Sequence, residues 1–462
     1  MTYRRPRQVP DDDVTAGPDA EGTAVTRSPF SWQCSNCAAT YPVETVRYAC
    51  PCDPLARLDF RLPVPALPGQ PAAGIDQIDR TLWRYAQLLP LKTCARGPRL
   101  VRERFPSGCT PLVRADRLGA QVGLNDLWIK DESANPTGSL KDRASSLVAA
   151  AALEQGHAVV ATASSGNAAV SMAAVARAVG LACVVFVPAS IAAERVARLT
   201  RLGASVLVVD GDYDDSVRLS LRACDAFGWL CRTTAINPFT TQGKKTAGLE
   251  IAEQLGWRAP DVVVAPVGDG NILVGLHHGF RDAVRLGWID RIPRLIAVQA
   301  EGAPAVFRAW WSERVDVAVA PAHTIAGGIA VGAPMDGRRA VAALASTGGA
   351  AVVVSDEQMT AAIAQARLLE GLDTEPSAAA AIAALAELVQ SGLVRAAERV
   401  VVVNTGAGLR RTASGEPAPA VLVVTPDSLE GVRAALAGAG NIPTNRTGTW
   451  SGLLPVSGDS GA

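Results

Sequence analysis

The stretch Asn135-Pro136-Thr137-Gly138-Ser139-Leu140-Lys141-Asp142-Arg143 joins a short apolar segment, 127–130, to an alanine- and leucine-rich segment, 144–153. The first segment is predicted to be a strand and the second a helix, because Pro136 and Gly138 break the chain between them. Lys141 therefore stands at or just inside a helix N-terminus, where the helix dipole should lower its pKa. A neutral amine there suits a Schiff-base nucleophile, although an ordinary solvated lysine also fits this stretch taken alone.

The composition limits the classes of protein to be considered. The chain has 462 residues, with Lys+Arg and Asp+Glu equal at 44 each. This length predicts two or three domains, and the balanced charge argues against a nucleic-acid partner. No apolar run reaches the roughly 18 residues of a membrane span, and the N-terminus lacks the apolar core of a secretory signal. A cytoplasmic location is expected.

Cysteines cluster near the N-terminus. The chain has nine cysteines, and four of them form a CxxC pair and a CxC pair, namely Cys34, Cys37, Cys50 and Cys52. This spacing is typical of a small zinc ribbon with four thiolate ligands, which leaves no open coordination position, so such a zinc would be structural. Four buried structural thiols, or a ribbon that has lost its metal, remain alternatives.

Apolar segments alternate with helical segments from residue 157 onward. The predicted strands are 158–162, 183–187, 206–210, 262–266, 295–298, 351–354, 400–403 and 421–424. The predicted helices include 192–202, 213–226, 245–255, 272–284, 357–369 and 428–436. Continuous apolar strands that alternate with helices indicate a parallel sheet covered on both faces. Ligands bind such sheets at the carboxyl ends of the strands.

Two turns lie at such strand ends. Ser164-Ser165-Gly166-Asn167 follows one strand, and Gly268-Asp269-Gly270-Asn271 follows another. Each leads into a predicted helix, whose N-terminus can hold an anion with backbone N–H groups. Simple helix capping for the first turn, and a plain tight turn for the second, remain alternatives. A third strand ends at Asn404-Thr405, which places a hydroxyl group at the same edge.

In this order, on an α/β scaffold, these features resemble the fold type II pyridoxal-phosphate enzymes and, more narrowly, the threonine synthase family, which is tryptophan synthase β-like. The resemblance to this family extends to the cysteine ribbon, to the run from Asn237-Pro238-Phe239 through Gly243-Lys244-Lys245-Thr246, and to residues 293–302. It implies an α/β fold with two open, mostly parallel, twisted sheets flanked by helices, plus the small N-terminal cysteine module.

Composition and the resemblance together predict a domain organisation. The expected parts are a disordered N-terminus (1–30), a zinc-ribbon-like module (31–60), a linker (61–82), a large pyridoxal-phosphate-binding domain (83–156 and 236–440), a smaller α/β domain (157–235) and a flexible tail (441–462). The expected partners are a small amino-acid substrate and a second copy of the chain in a homodimer, with neither nucleic acid nor membrane.

The resemblance implies roles residue by residue. Lys141 would bind pyridoxal phosphate as a Schiff base and, once freed, take the α-proton of the substrate. The cofactor phosphate would be held by Gly268, Asp269, Gly270 and Asn271. Asn167 would hydrogen-bond the ring hydroxyl, and Thr405 would face the pyridine nitrogen. The substrate carboxylate would be received by Ser164, Ser165 and Gly166.

The chain departs from the threonine synthase pattern where the substrate phosphate is bound. Thr240 stands where an arginine usually follows the Asn-Pro-aromatic triplet, and segment 328–334 has neither the usual arginine nor the usual asparagine. Lys244, where the family commonly has glutamine, is a candidate replacement. The Ser-Ser-Gly-Asn turn and segment 324–331 are nearer to the serine/threonine dehydratases.

The expected function is therefore a threonine-synthase-like lyase that performs β/γ-elimination or replacement on an amino acid with a phosphate or hydroxyl leaving group. The alternatives are a true threonine synthase acting on O-phospho-L-homoserine, a serine/threonine ammonia-lyase or a β-replacement synthase similar to cysteate synthase, and a non-catalytic relative. The presence of Lys141 argues against the last of these.

Overall fold

The structure is a computed structural model that describes residues 30–43, 48–53, 56–62, 75–91, 95–407, 422–437 and 442–444. Residues 1–29 of the predicted disordered N-terminus, 63–74 of the predicted linker, and all of the predicted tail except 442–444 lie outside these ranges. No described helix combines the length and apolarity needed to span a lipid bilayer.

Strands and helices alternate through most of the described chain from residue 126 onward. The strands are β1 Ser31–Cys34, β2 Thr40–Pro42, β3 Leu58–Arg61, β4 Leu112–Arg114, β5 Asp126–Asp131, β6 Val159–Ala163, β7 Ala182–Pro188, β8 Ser205–Val209, β9 Leu230–Cys231, β10 Val262–Pro266, β11 Arg294–Ala300, β12 Ala350–Val354, β13 Arg399–Asn404 and β14 Leu422–Val424. The helices are α1 Arg96–Arg104, α2 Asp116–Val122, α3 Lys141–Glu154, α4 Asn167–Val179, α5 Ala193–Arg201, α6 Tyr213–Phe227, α7 Phe239–Gln254, α8 Asn271–Arg285, α9 Ala305–Trp311, α10 Gly337–Ser346, α11 Asp356–Glu370, α12 Pro376–Ala383, α13 Leu385–Gln390 and α14 Leu429–Ala437. Short 3-10 helices span Leu82–Leu88 and Glu132–Ala134.

The cysteine module is a three-stranded antiparallel sheet with strand order β2-β1-β3. Trp32 in β1 is fully buried. Its ring meets Phe239 at the start of α7 edge-on, with 5.2 Å between ring centroids, and Phe60 at 5.7 Å. The module is therefore packed directly on the main body.

The larger sheet has six strands in the order β12-β11-β10-β13-β5-β4. All neighbouring pairs are parallel except β4 and β5 at one edge. Both faces are buried, because Val262 and Val264 of β10 point into one hydrophobic core and Val263 and Ala265 into another. This two-sided burial explains why the strand is continuously apolar instead of alternating.

The smaller sheet has five parallel strands in the order β14-β8-β7-β6-β9. Two open, mostly parallel sheets flanked by helices confirm the predicted fold class. The predicted assignment of 236–440 to the larger domain differs here, because β14 pairs with β8 in the smaller sheet, with Leu422 opposite Leu207. An apolar strand carries no local signal for its pairing partner more than two hundred residues away.

Helix α7 lies between α3 and α8 and is buried on all sides through its first fourteen residues. It begins at Phe239, six residues before the predicted start at 245. The early turns carry buried polar side chains, namely Thr240, Thr241, Gln242 and Lys244. These residues hide the helical period of apolar side chains that a surface helix shows, so the sequence pattern fails there.

Candidate active site

The loop before Lys141 is fixed to the end of β13. The N–H of Leu140 donates to the carbonyl oxygen of Thr405 at 3.0 Å, and the N–H of Ala407 donates to that of Gly138 at 3.1 Å. Gly138 has φ of +85°, a conformation that favours glycine. Because β13 and β5 are neighbours, this pairing places Lys141, the first residue of α3, beside Thr405.

The Lys141 side chain is half-buried. Desolvation, and then the positive charge of Arg232, lowers its pKa to about 8, while Glu375 and Asp269 act in the opposite direction. The direction agrees with the prediction made from the helix N-terminus. The structure adds burial and Arg232 as the physical causes. A substantial fraction of this amine is neutral near physiological pH.

A buried ionic network lies beneath the loop. Arg143 donates to Glu132 at 2.6 Å and to Glu250 at 2.6 Å, and Lys130 donates to Glu250 at 2.8 Å. All four side chains are buried. Glu132 follows β5 and Glu250 belongs to α7, so the network ties the start of α3 to both elements.

The turn 164–167 connects β6 to α4, which begins at Asn167. Among the described residues, no hydrogen-bond acceptor faces the N–H groups of Ser165, Asn167 or Ala168. The Asn167 side chain donates to the Glu375 carboxylate at 2.8 Å. Unsatisfied N–H groups at a helix N-terminus form a site for an anion.

The loop 268–271 connects β10 to α8 in the same way. The N–H groups of Gly268, Asp269 and Gly270 have no acceptor within the part of the chain that is described. A Cβ on Gly268 would lie 2.7 Å from the Ile329 Cα, and one on Gly270, where φ is +94°, would lie 2.8 Å from the Asp336 carbonyl oxygen. The loop therefore needs its glycines, and its free donors form a second anion cradle.

The Asp269 side chain points to the neighbouring loop. One carboxylate oxygen accepts from the Met335 N–H at 2.7 Å, and the other is buried without a partner among the described residues. Burial, followed by the charge of Asp336, raises its pKa to about 6. Lys244 donates to Asn271, which in turn donates to Asp336. Desolvation, followed by the charges of Lys141 and Arg232, lowers the pKa of Lys244 well below its ordinary value, while Asp269 and Asp336 act in the opposite direction.

Several buried polar atoms at these strand ends and loops have no hydrogen-bond partner in the described chain. They are Ser139 Oγ, Thr162 Oγ1, Arg232 Nη2, Thr233 Oγ1, Gln242 Oε1 and Asp269 Oδ2. Buried polar groups are normally hydrogen-bonded. Together with the two N–H cradles they fit a polar, phosphorylated ligand such as pyridoxal phosphate.

Two residues at this site, Arg232 and Glu375, were given no functional role from the sequence. Arg232 directly follows β9, which has only two residues and was not predicted as a strand. The apolar run before Arg232 was the only available signal. Glu375 directly precedes Pro376, the first residue of α12. In the structure it caps α12, holds Asn167 and acts on the pKa of Lys141.

The four predicted metal ligands lie together in the cysteine module. The Sγ atoms of Cys34 and Cys52 are 3.6 Å apart, those of Cys37 and Cys50 are 3.5 Å apart, and all four lie within 4.8 Å of one another. Zn–S bonds of about 2.3 Å in a tetrahedron give S–S distances of about 3.8 Å. The cluster therefore fits a structural zinc ion, which stays a prediction.

Comparison with known proteins identifies the class. A profile of the family described as pyridoxal-phosphate dependent enzyme matches residues 104–406. Threonine deaminase isoform 2 of Solanum lycopersicum superimposes with a TM-score of 0.56 at 21% identity, covering 72% of this chain and 88% of that one. Maize serine racemase gives 0.57 at 21% identity, covering 68% and 93%. The fold and site define a fold type II enzyme that uses pyridoxal phosphate.

Curated relatives narrow the class. The threonine synthase of Methanosarcina acetivorans is 34% identical over 385 residues, which cover 82% of this chain and 91% of the relative. That of Methanocaldococcus jannaschii is 32% identical over 382 residues, covering 82% and 92%. The chain belongs to the threonine synthase family of pyridoxal-phosphate-dependent lyases.

Proposed function

We propose that this lyase acts on an amino acid with a leaving group at its β or γ carbon, by elimination or replacement. The observation that carries the proposal is that the loop before Lys141 is hydrogen-bonded to the end of β13, where the Glu375 N–H also donates to Gly406 at 3.0 Å, and that charges from both anion cradles act on the Lys141 amine. Asp269 belongs to one cradle, and Glu375 holds Asn167 of the other; both affect the pKa of Lys141. The two cradles belong to different sheets, so cofactor and substrate can be held from opposite sides of one amine.

The residues that would hold the cofactor come from both sheets. Pyridoxal phosphate, when bound, supplies an electron sink for negative charge at the α carbon of an amino acid. We assign its phosphate to the N–H groups of 268–271, its covalent attachment to Lys141, and its ring to the space beside Asn167 and Thr405. Because Asp269 directs its carboxylate to Met335, we assign only its N–H to the phosphate.

Lys141 also handles the proton. A neutral amine with a pKa of about 8 is a suitable general base for the α-proton of the substrate. The N–H groups of turn 164–167 would receive the substrate carboxylate and so orient the α carbon. Thr405 offers a neutral hydroxyl to the ring nitrogen, and the family resemblance associates this choice with elimination and replacement.

A true threonine synthase is the second candidate. The names of the relatives favour it. Two features oppose it: the Thr240 hydroxyl is bonded to the Asn237 carbonyl oxygen at 2.7 Å, and segment 328–334 carries no cation. The usual phosphate-binding positions therefore offer no charge. A homodimer belongs to the proposal on the resemblance alone, and a cytoplasmic location on the composition of the sequence.

A substrate panel tests the proposal. The purified protein is given O-phospho-L-homoserine, O-phospho-L-serine, L-serine and L-threonine, and threonine, ammonia and 2-oxo acids are measured. We expect ammonia and a 2-oxo acid, or a replacement product when a nucleophile is added, and no threonine. Formation of threonine from O-phospho-L-homoserine would instead establish the second candidate. A Lys141→Ala variant should be inactive with every substrate, and full activity in that variant would refute both.

A further inference from the structure

Lys244 is a buried lysine of α7 whose amine reaches the loop 268–271. Its side chain is only 1% exposed. The amine donates to the side-chain oxygen of Asn271, which is the last residue of the loop and the first of α8. The two helices are in close contact here, because a Cβ on Gly275, one turn further along α8, would lie 2.7 Å from the Lys244 Cβ. The Lys244 side chain therefore follows the first turn of α8 to the N-terminus of that helix.

Two other buried lysines of the chain have a carboxylate partner. Lys245, the next residue of the same helix, pairs with Asp282 at 2.9 Å, and Lys130 pairs with Glu250 at 2.8 Å. Lys244 has no such ion pair within the described part of the chain. Burying a charge without an opposite charge is costly, so buried charged groups are normally paired or belong to binding sites. Lys244 is therefore a candidate ligand for an anion that the protein chain does not supply.

The surroundings of the Lys244 amine disfavour its charged form. At the N-terminus of α8 it faces the positive end of the helix dipole. Desolvation, followed by the charges of Lys141 and Arg232, lowers its pKa well below the ordinary value. Asp269 and Asp336 act in the opposite direction, but neither of these two described residues forms an ion pair with the amine. An anion in contact with the amine would offset the desolvation, the dipole and the two positive charges together.

The loop at this helix end shows which anion that would be. The N–H groups of residues 268–270 have no acceptor among the described residues, and they lead directly into α8. The Asn271 side-chain nitrogen donates to Thr241 Oγ1 at 2.7 Å and to Asp336, which leaves the side-chain oxygen for Lys244. The amine and the free N–H groups therefore lie at the same helix N-terminus, where we assign the cofactor phosphate.

Resting on the phosphate assignment of the proposed function, we propose that Lys244 is a ligand of the cofactor phosphate. Its ammonium group forms an ion pair with a phosphate oxygen that the N–H groups of 268–271 also hold, so that the site selects the phosphorylated cofactor over its unphosphorylated form. A phosphate monoester carries nearly two negative charges at neutral pH, whereas backbone N–H groups and a helix N-terminus supply only partial positive charge. Lys244 supplies a full charge and a charge-assisted hydrogen bond.

The test compares two ring analogues of the cofactor, 4-deoxypyridoxine 5′-phosphate and 4-deoxypyridoxine, which differ only in the phosphate group. Neither carries an aldehyde, so neither reacts with Lys141, and their binding is independent of covalent attachment. Their affinities for the cofactor-free full chain are measured by calorimetry in the wild type, Lys244→Gln and Lys245→Gln. Glutamine keeps a hydrogen-bond donor for Asn271 without the charge. Lys245→Gln is the matched control, because it removes an equally buried lysine that pairs with Asp282 and not with the loop.

We expect the wild type to prefer the phosphorylated analogue, and Lys244→Gln to reduce this preference about 10- to 100-fold, the range for loss of a hydrogen bond to a charged group. Binding of the unphosphorylated analogue should be unchanged in Lys244→Gln. Lys245→Gln should keep the wild-type preference even if the variant is less stable. The phosphorus NMR signal of the bound analogue should shift in Lys244→Gln and stay unchanged in Lys245→Gln.

Two results would overturn the inference. An unchanged preference in Lys244→Gln, including equal weakening of both analogues, would make Lys244 a structural residue and refute the inference alone. Equal binding of the two analogues by the wild type would refute the phosphate assignment as well. Product formation in the substrate panel would in that case leave the proposed reaction standing.

If Lys244→Gln fails to fold, a crystal structure of the wild-type protein with the phosphorylated analogue decides. We expect the Lys244 Nζ within about 3.2 Å of a phosphate oxygen, the upper limit of an ordinary N–H···O hydrogen bond. A separation of more than about 4 Å, beyond the limit of an ion pair, would contradict the inference.

Discussion

At the scale of single residues, the proposed chemistry depends on the surroundings of a few buried charged side chains. Lys141 is half-buried, has no ion pair with a carboxylate of the described residues and is affected by the charge of Arg232; its desolvation and this positive charge both disfavour its charged form. The sequence predicted the lysine and the direction of its pKa shift. It could not predict Arg232, because the burial of an arginine depends on contacts from Ser145 and Thr234, which come from separate elements.

The pKa of Lys141 predicts the pH dependence of cofactor capture. A lowered lysine pKa means that the neutral amine becomes abundant as pH rises through about 8, well below the ordinary value of 10.5. The rate at which cofactor-free protein takes up pyridoxal phosphate, followed by absorbance, should therefore rise with a midpoint near pH 8. Arg232→Met removes a neighbouring positive charge and should move the midpoint to higher pH. Arg222→Met, which removes a partly exposed arginine paired with Asp427, is the control and should leave the midpoint unchanged. A midpoint above pH 10 in the wild type would contradict this account.

At the scale of elements, the site is built where strands end and helices begin. Strand β10 was predicted with its observed bounds, and α8 within one residue at each end, because continuous apolar runs and glycine turns are local signals. The start of α7 and the partner of β14 were missed. Polar side chains buried in α7 and the long-range pairing of β14 with β8 leave no local pattern.

The network around Arg143 predicts a large effect on stability. Arg143→Met leaves Glu132 and Glu250 buried without their main partner, and breaking such a pair costs about 3–5 kcal/mol. Denaturant unfolding should show this loss in the free energy of unfolding. Arg99→Met, in an exposed pair with Glu103, is the control and should cost at most about 1 kcal/mol. Similar costs for the two variants would show that the network does not support the loop.

At the scale of the whole molecule, the cysteine module makes hydrogen bonds and ion pairs to residues on both sides of the candidate site. The Cys231 N–H, next to Arg232, donates to the Tyr48 hydroxyl at 2.7 Å. On the other side, Asp59 of β3 pairs with Arg339, which also pairs with Asp336 at 2.6 Å. Asp336 accepts from Asn271 of the 268–271 loop. The module therefore braces the site without contributing a reacting group.

Loss of the predicted zinc ion should weaken the contacts between the cysteine module and the site. Chelation, or the double change Cys34→Ser and Cys37→Ser, should lower the unfolding midpoint temperature by about 5 °C or more, since structural metal binding contributes directly to folding. Cofactor affinity, measured by fluorescence titration, should fall as well, because the 268–271 loop loses support. Cys109→Ser, outside the cluster, is the control. If a chelator changes neither quantity, the module does not depend on a metal.

Lys141 is proposed to carry the amine that holds the cofactor. Borohydride reduction of the holoprotein tests this assignment most directly. Reduction fixes the cofactor on its lysine, and peptide mass spectrometry then locates the added mass. The buried lysines Lys130, Lys244 and Lys245 serve as internal controls. We predict the mass on the peptide that contains Lys141 and its loss in Lys141→Ala. The added mass on any of the other three lysines would contradict the account.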